Sequence, residues 1–411
     1  MMDFASLANQ VMLRCDQLGA ITQSPGIVDR RYLTPQHRQA NDLVAQWMRE
    51  AGMTVWQDAA GNQWGRYHST DANARSLVLG SHLDTVPNGG KYDGMLGVIA
   101  PLAVVHHCFE NGIRFPFHID IVGFGDEEGT RFGSTLLGSR ALTGRWKEDW
   151  QLLRDENKVS LPEAMAEFGL AFDKVGDATL KPDSVLGYLE VHIEQGPVLE
   201  DKNLPVGWVT AIAGAKRLNV QLNGMAGHAG TVPMDMRQDA LVAASEMVLA
   251  VESIASQFGI VATVGRLETR PGAVNVIPGQ VNFSLDIRSE HDHKRDAALQ
   301  LIEEVFRDIA QRRHVDVNWQ QTHHADAVHC DPYLSQTLSQ AIQLSGHNAV
   351  SLPSGAGHDA MAMDAICPVS MLFVRCKGGI SHHPGESVTS ADVAASLQVI
   401  YRFLDAFSPD F

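Results

Sequence analysis

The sequence predicts an α/β protein in which a mixed-sheet domain is interrupted by an inserted α+β segment of ferredoxin-like pattern. Three observations predict it. Residues 1–211 alternate helix-period and strand-period hydrophobic patterns, as a sheet with helices on both faces requires. Residues 212–328 change to a strand, a long helix, further strands, a second long helix and a closing strand, the order of two helices over a small antiparallel sheet. Residues 329–411 return to the first pattern. At 411 residues the chain exceeds one ordinary core, so two domains, or one domain carrying a large insertion, are expected.

In the first segment, 4–18, 35–51 and 97–111 carry apolar residues at helical spacing, while 54–56, 76–80, 118–124 and 186–192 have strand character. The most apolar stretch, 94–105, is broken by Gly97 and Pro101 and ended by His106 and His107, which makes it a core helix. No stretch approaches the roughly 18 uninterrupted apolar residues of a membrane span. In the insertion, strands are expected at 218–222, 260–268, 281–287 and 315–320, and helices at 240–258 and 292–312. The last segment holds a strand at 369–374 and a helix at 390–406.

Composition narrows the function. A net charge of -16 argues against binding nucleic acid through its phosphates, yet leaves room for an anionic metabolite in a pocket made locally positive by metal and arginine. Five cysteines without C-x-x-C spacing make a disulfide framework unexpected and a reducing cytoplasm the default. Residues 1–18 mix Asp3, Arg14 and Asp16 among their apolar residues, so no signal peptide is expected. Neither a membrane nor a nucleic-acid partner is expected.

Potential metal ligands gather where strands give way to loops. His82 and Asp84 follow the 76–80 strand, and Asp93 sits in the glycine-rich loop after them. A carboxylate two residues from a histidine is placed to accept its second ring N–H and fix the ligating tautomer. The two oxygens of Asp93 suit a pair of cations about 3.5 to 4 Å apart, although a plain turn residue would look the same. After the 118–124 strand come Asp126, Glu127 and Glu128, three acids that repel one another unless cations or protons lie between them. Adjacent carboxylates diverge, so Glu128 is assigned to metal and Glu127 to general base and then general acid. His192 ends the next strand, with Glu190 and Glu194 on its face, and His382 and His383 offer competing imidazoles in a loop stiffened by Pro384. The set reads as a two-metal hydrolase.

The insertion carries different chemistry. His228 in a glycine-rich loop is suited to donate to a developing oxyanion, with Asn275 adding an amide. Arg288, after the 281–287 strand, suits a substrate carboxylate. Residues 354–360, with Gly357, present backbone N–H groups at the start of a helix, fit for an anionic or ureido group.

These elements together resemble the dinuclear-metal aminoacylase/carboxypeptidase superfamily, and within it the ureido-hydrolysing branch. They include Gly80-Ser81-His82-Leu83-Asp84, Tyr92-Asp93-Gly94, Glu127-Glu128-Gly129, His192-Ile193-Glu194-Gln195-Gly196, Gly227-His228-Ala229-Gly230 and Ile380-Ser381-His382, and the resemblance runs over nearly the whole chain. It implies a zinc-peptidase-like catalytic domain, residues 1–211 and 329–411, and an inserted lid and dimerisation domain, residues 212–328. Two divalent ions per subunit are implied, zinc or manganese, with cobalt also accommodated. His82, Asp93 and His192 would hold one, and Glu128 and His382 the other, with Asp93 shared. Gln195, Arg217, Asn275, Arg288 and Gly357 match substrate-contacting positions, while Glu127, His228 and Asp84 are the catalytic candidates. His228 would reach the active site of a second copy, so a homodimer is implied. The implied reaction is hydrolysis of a terminal ureido C–N bond in a carboxylate-bearing small molecule, releasing ammonia and carbon dioxide. Residues 322–328 and 210–218 look most like the allantoate enzymes. The rival substrate is an N-carbamoyl-L-amino acid or a β-ureidopropionate, and the rival class is a catalytically silent metal-binding scaffold.

Overall fold

The runs expected as strands at 76–80, 118–124 and 186–192 form Ser76–His82, His118–Phe124 and Val185–Ile193, and every residue in them is buried. Such continuous apolar runs are what a parallel sheet covered on both faces needs. Ser76–His82 lies between and parallel to the other two, and Val369–Val374 pairs parallel with the far side of Val185–Ile193. Antiparallel strands flank this centre: Gln63–Tyr67 and then Thr54–Gln57 on one side, Val206–Ile212 on the other. The result is the expected mixed sheet, with nine strands. The structure, a computed structural model, describes residues 3–410; Met1, Met2 and Phe411, the outermost residues of the first and last expected segments, lie outside the described residues.

Helices Phe4–Gly19, Met95–Glu110 and Ser390–Ala406 pack on one another and share one buried apolar cluster with the sheet. Met95–Glu110 is the core helix read from composition, with twelve of its sixteen residues buried. Gly97 shows how close it lies: a Cβ there would stand 2.0 Å from the Val191 carbonyl oxygen, so only glycine permits this helix-to-strand approach.

The chain divides into two compact units, one comprising residues up to Thr210 together with those from His329 onward, the other Ala211–Val328. In the second unit, strands Leu267–Arg270, Gln280–Ser289, Gly214–Asn223 and Asp316–Ala325 form an antiparallel sheet in that order. Helices Ala240–Phe258 and Asp292–Arg313 pack on each other and on one face of it, so this unit has the ferredoxin-like arrangement. The single strand expected at 260–268 is two, Val261–Thr263 and Leu267–Arg270. Thr263 pairs with Asp286 and Leu267 with Phe283, so one extra residue is accommodated between them as in a bulge. Phe283 and Phe306 meet edge to face at 5.7 Å in the core of this unit, each burial contributing roughly 1.5 to 3 kcal/mol.

Ala240–Phe258 is long and apolar enough to cross a membrane by length and composition. Its apolar run is interrupted by Ser245, Glu246 and Glu252, Glu246 pairs with Arg312 and Arg313, and Ala240, Ala243, Ala244, Met247, Val251 and Ile254 form a buried stripe against the sheet. That stripe is the pattern of a core helix.

Candidate active site

Parallel neighbours deliver their polar residues to the same end of the sheet. Ser76–His82 ends on His82, His118–Phe124 runs into Asp126, Glu127 and Glu128, and Val185–Ile193 carries His192 beside its last residue. The loop from Asn88 to Gly94 folds back so that Asp93 reaches both histidines, its Oδ1 lying 3.5 Å from His82 Nε2 and 3.1 Å from His192 Nε2. Its other oxygen, Oδ2, lies 3.4 Å from His382 Nε2, which is 3.3 Å from Glu128 Oε1. Among the described residues, three groups of ligand atoms converge within 4.8 Å: His82 with Asp93 and His192, Asp93 with Glu128 and His382, and His82 with Glu127 and Glu128. Asp93 belongs to two of them, one through each oxygen. The donors are imidazoles and carboxylates, a chemistry that fits zinc or manganese.

The ring orientations follow from main-chain hydrogen bonds. His82 Nδ1 lies 2.9 Å from the Asp84 carbonyl oxygen and His192 Nδ1 lies 2.8 Å from the Ile193 carbonyl oxygen. A carbonyl only accepts, so each Nδ1 carries a proton and each Nε2 faces Asp93. Gly94 makes room for this arrangement, since its φ is +71° and a Cβ there would fall 2.5 Å from the His82 ring.

Asp84 acts differently from the expectation. Its carboxylate stands 3.6 Å from His82 Nδ1, and the ring's hydrogen bond goes to its backbone oxygen instead. The carboxylate accepts the backbone N–H of Glu127 at 3.1 Å and of Glu128 at 3.2 Å, tying the acidic turn to the histidine strand. Two residues of separation let the main chain reach the ring first, which leaves the side chain for the neighbouring loop.

Electrostatics mark the cluster as a place short of positive charge. Burial raises Asp84 to about 6 against the pull of His82. Burial also pushes Glu127 well above the ordinary glutamate range, with Glu128, Asp359 and Asp84 adding to it against His82. Asp126 is fully buried with neither carboxylate oxygen hydrogen-bonded, and burial together with Asp84 lifts it well above the ordinary range. Asp93 goes the other way, because His192 and His82 outweigh its burial and hold it well below the usual range. The hydrogen bond to Glu128 raises His382 to about 8.

Of the two competing imidazoles, His382 joins the cluster, while His383 Nδ1 accepts the Gly385 N–H at 3.0 Å within its own turn. Gln195, matched by resemblance to a substrate position, lies on Asp93, its Nε2 donating to Oδ2 at 2.9 Å. The Ser381 hydroxyl donates to the same oxygen. Gly357 stands beside Glu127, whose Oε1 lies 3.8 Å from the point where a Cβ would sit. Glu190 accepts Ser81 Oγ at 2.9 Å and the Ala360 N–H at 2.9 Å, linking the Ser76–His82 strand to the start of the helix Ala360–Met363.

Sequence reasoning gave no role to Ser381, Glu386 or Arg30. Buried Glu386 accepts the N–H groups of Tyr92 at 2.8 Å and Asp93 at 3.1 Å through one oxygen. Arg30, fully buried, donates to the Leu83 carbonyl at 2.7 Å and so braces the residue after His82. An acid four residues beyond His382, next to Pro384 and Gly385, was the one signal available for Glu386.

The remaining candidates lie in the second unit, in two pairs. His228 pairs in register with Val276, and the Asn275 carbonyl accepts the Ala229 N–H at 2.9 Å, so His228 and Asn275 stand on one loop pair. Gly230 N–H donates to His228 Nδ1 at 3.0 Å, which puts the proton of the neutral ring on Nε2, a hydrogen-bond donor. Arg217 and Arg288 stand on adjacent strands and share Asp286.

Three comparisons bear on the chain's ancestry. It is 38% identical over 438 aligned residues to a probable allantoate deiminase of Oryza sativa subsp. japonica, covering 98% of this chain and 89% of that protein. It is 41% identical over 391 residues to an N-carbamoyl-L-amino acid amidohydrolase of Geobacillus stearothermophilus, covering 95% and 96%. A crystal structure of an amidase of the hydantoinase/carbamoylase family from Burkholderia multivorans superposes with a TM-score of 0.91 at 31% identity, covering 97% of each chain. The model of Peptidase family M20/M25/M40 matches residues 78–406, which takes in every ligand candidate from His82 to His382. With this span and these relatives, the chain belongs to Peptidase family M20/M25/M40.

Proposed function

We propose that the chain is a dinuclear metal-dependent amidohydrolase that cleaves the terminal ureido C–N bond of a carboxylate-bearing small molecule, with allantoate as the leading substrate. The observation that carries this reading is Asp93, whose two oxygens belong to two ligand groups, with Glu127 grouped with one member of each, His82 and Glu128. His82, Asp93 and His192 would hold one cation, and Asp93, Glu128 and His382 the other. Two divalent ions bound there would supply Lewis acidity and acidify a water to near neutral pH.

Glu127 takes a proton from the attacking water and returns it to the leaving nitrogen, a role that its raised affinity for protons suits. Asp84 fixes the backbone that carries Glu127. His228, with its proton on Nε2, donates to the oxyanion as the carbonyl becomes tetrahedral, reaching the site of a second copy in a homodimer. Asn275 and Gly357 present polar groups to the ureido moiety, and Arg288, with Arg217, takes the carboxylate. Gln195 orients Asp93 from one side. An N-carbamoyl-L-amino acid is the second reading, favoured by the 41% identity to the Geobacillus stearothermophilus enzyme. Ureidoglycine, one ammonia and carbon dioxide are the products expected from allantoate and water, and exchange of the ureidoglycine amine for a second water gives ureidoglycolate and a second ammonia.

Ammonia release from allantoate, N-carbamoyl-L-amino acids and β-ureidopropionate by manganese- or zinc-loaded protein tests this directly. Turnover fastest on allantoate is the expected result. Fastest turnover of an N-carbamoyl-L-amino acid would replace the substrate, and bound metal with no ammonia from any ureido compound would leave a scaffold.

A further inference from the structure

The polar face of the second unit's sheet holds a three-residue arrangement that motif reading did not anticipate. Asp286 stands directly across from Arg217 in strand register, and Arg288 follows two residues later on the same face. One carboxylate serves both arginines. Arg288 grips it along the side of its guanidinium, Nε to Oδ1 at 2.7 Å and Nη2 to Oδ2 at 2.9 Å, and Arg217 Nε donates to Oδ2 at 2.8 Å. The cross-strand neighbours of Arg288 are Ala215 on one side and Val261 on the other.

We infer that Asp286 is a positioning residue for substrate recognition, holding Arg288 and Arg217 side by side as a cradle that selects a substrate bearing one carboxylate. This rests on the reading above that Arg288 takes the substrate carboxylate. A free arginine side chain must give up several rotatable torsions to bind a ligand, and a fork already fixed along one edge has less freedom to lose. Asp286 occupies the Nε/Nη2 edge of Arg288 and so fixes the plane of its guanidinium. Charge points the same way: two guanidinium charges and one carboxylate leave one positive charge, the complement of a single anionic group. Burial is outweighed by Arg288 and Arg217, which hold Asp286 below the usual carboxylate range, so it stays ionised.

A bystander or competing acid would act with the opposite sign. Removing its charge would add to the positive potential around the arginines and tighten anion binding, whereas removing a positioning acid disorders the fork and weakens it. The experiment measures kcat and KM of Asp286→Asn, Asp286→Glu and Arg288→Ala on allantoate and on its uncharged primary amide, with an N-carbamoyl-L-amino acid and its amide as a second pair. For Asp286→Asn we expect KM for the carboxylate substrate to rise about tenfold with kcat nearly unchanged, KM for the amide to stay put, and Asp286→Glu to restore part of the loss. A lowered KM, an equal rise for carboxylate and amide, or a fall confined to kcat overturns the inference. Arg288→Ala separates the two layers. If it leaves KM for the carboxylate unchanged, the carboxylate reading of Arg288 and this inference fall together. If it raises KM while Asp286→Asn does not, the inference falls alone.

Discussion

The two sheets of this molecule treat their polar residues in opposite ways. In the first unit the strands Ser76–His82, His118–Phe124, Val185–Ile193 and Val369–Val374 are buried along their whole length, and chemistry is confined to their ends. In the second, Gln280–Ser289 alternates buried and half-buried residues without a break, and Asp286 and Arg288 stand within its paired length, toward its C-terminal end, on the face away from the helices. A sheet covered on both faces gathers its cation-binding groups at its ends, where loops converge, and a charge inside it needs a partner, as Asp120 has in Arg66. A sheet covered on one face offers its other face over its whole area. The difference teaches where each kind of work belongs: a buried end can force acids and imidazoles together at a cost that bound cations offset, while an open face can hold salt-bridged arginines whose contacts a ligand is able to join.

The comparison yields predictions that differ in kind as well as in size. The largest belongs to the buried end. Glu127→Ala should lower kcat by at least about 10²-fold with metal content retained, because the base is lost while the ligand set remains. Steady-state rates beside elemental analysis check this, and unchanged turnover would remove Glu127 from its role. A smaller effect belongs to the open face. Arg288→Ala should raise KM by about tenfold or more with a lesser change in kcat, as expected for a contact made equally in the ground and transition states. A large loss in kcat there would break the contrast, since it would place the open face within the chemical step.

Much of this arrangement was legible in the sequence, for reasons that can be stated residue by residue. His82, Glu127, Glu128 and His192 each follow or end an apolar run, and a polar residue at such a junction is visible without knowing its partners. Helices Met95–Glu110 and Ala240–Phe258 announced themselves by composition and period. Contacts made across long stretches of chain were not legible. Glu386 holds the Asp93 backbone over 293 residues, and no periodic pattern records that distance. Asp84 was misread in a subtler way, because spacing alone cannot say whether a ring meets a side chain or the main-chain carbonyl of the same residue. Asp286 was passed over because an acid between apolar residues of a strand looks like ordinary solvent-face alternation, and only register shows the arginine opposite.

All of this depends on Asp93 joining two ligand groups. Elemental analysis of chelated and then manganese- or zinc-reloaded protein, comparing the natural chain with Asp93→Ala, tests that most directly. The account predicts two metal ions per chain in the first and near-complete loss of both metal and ammonia release in the second, because each ion loses a ligand at once. Equal metal content in the two proteins, or ammonia release by the natural chain with no metal bound, would contradict it.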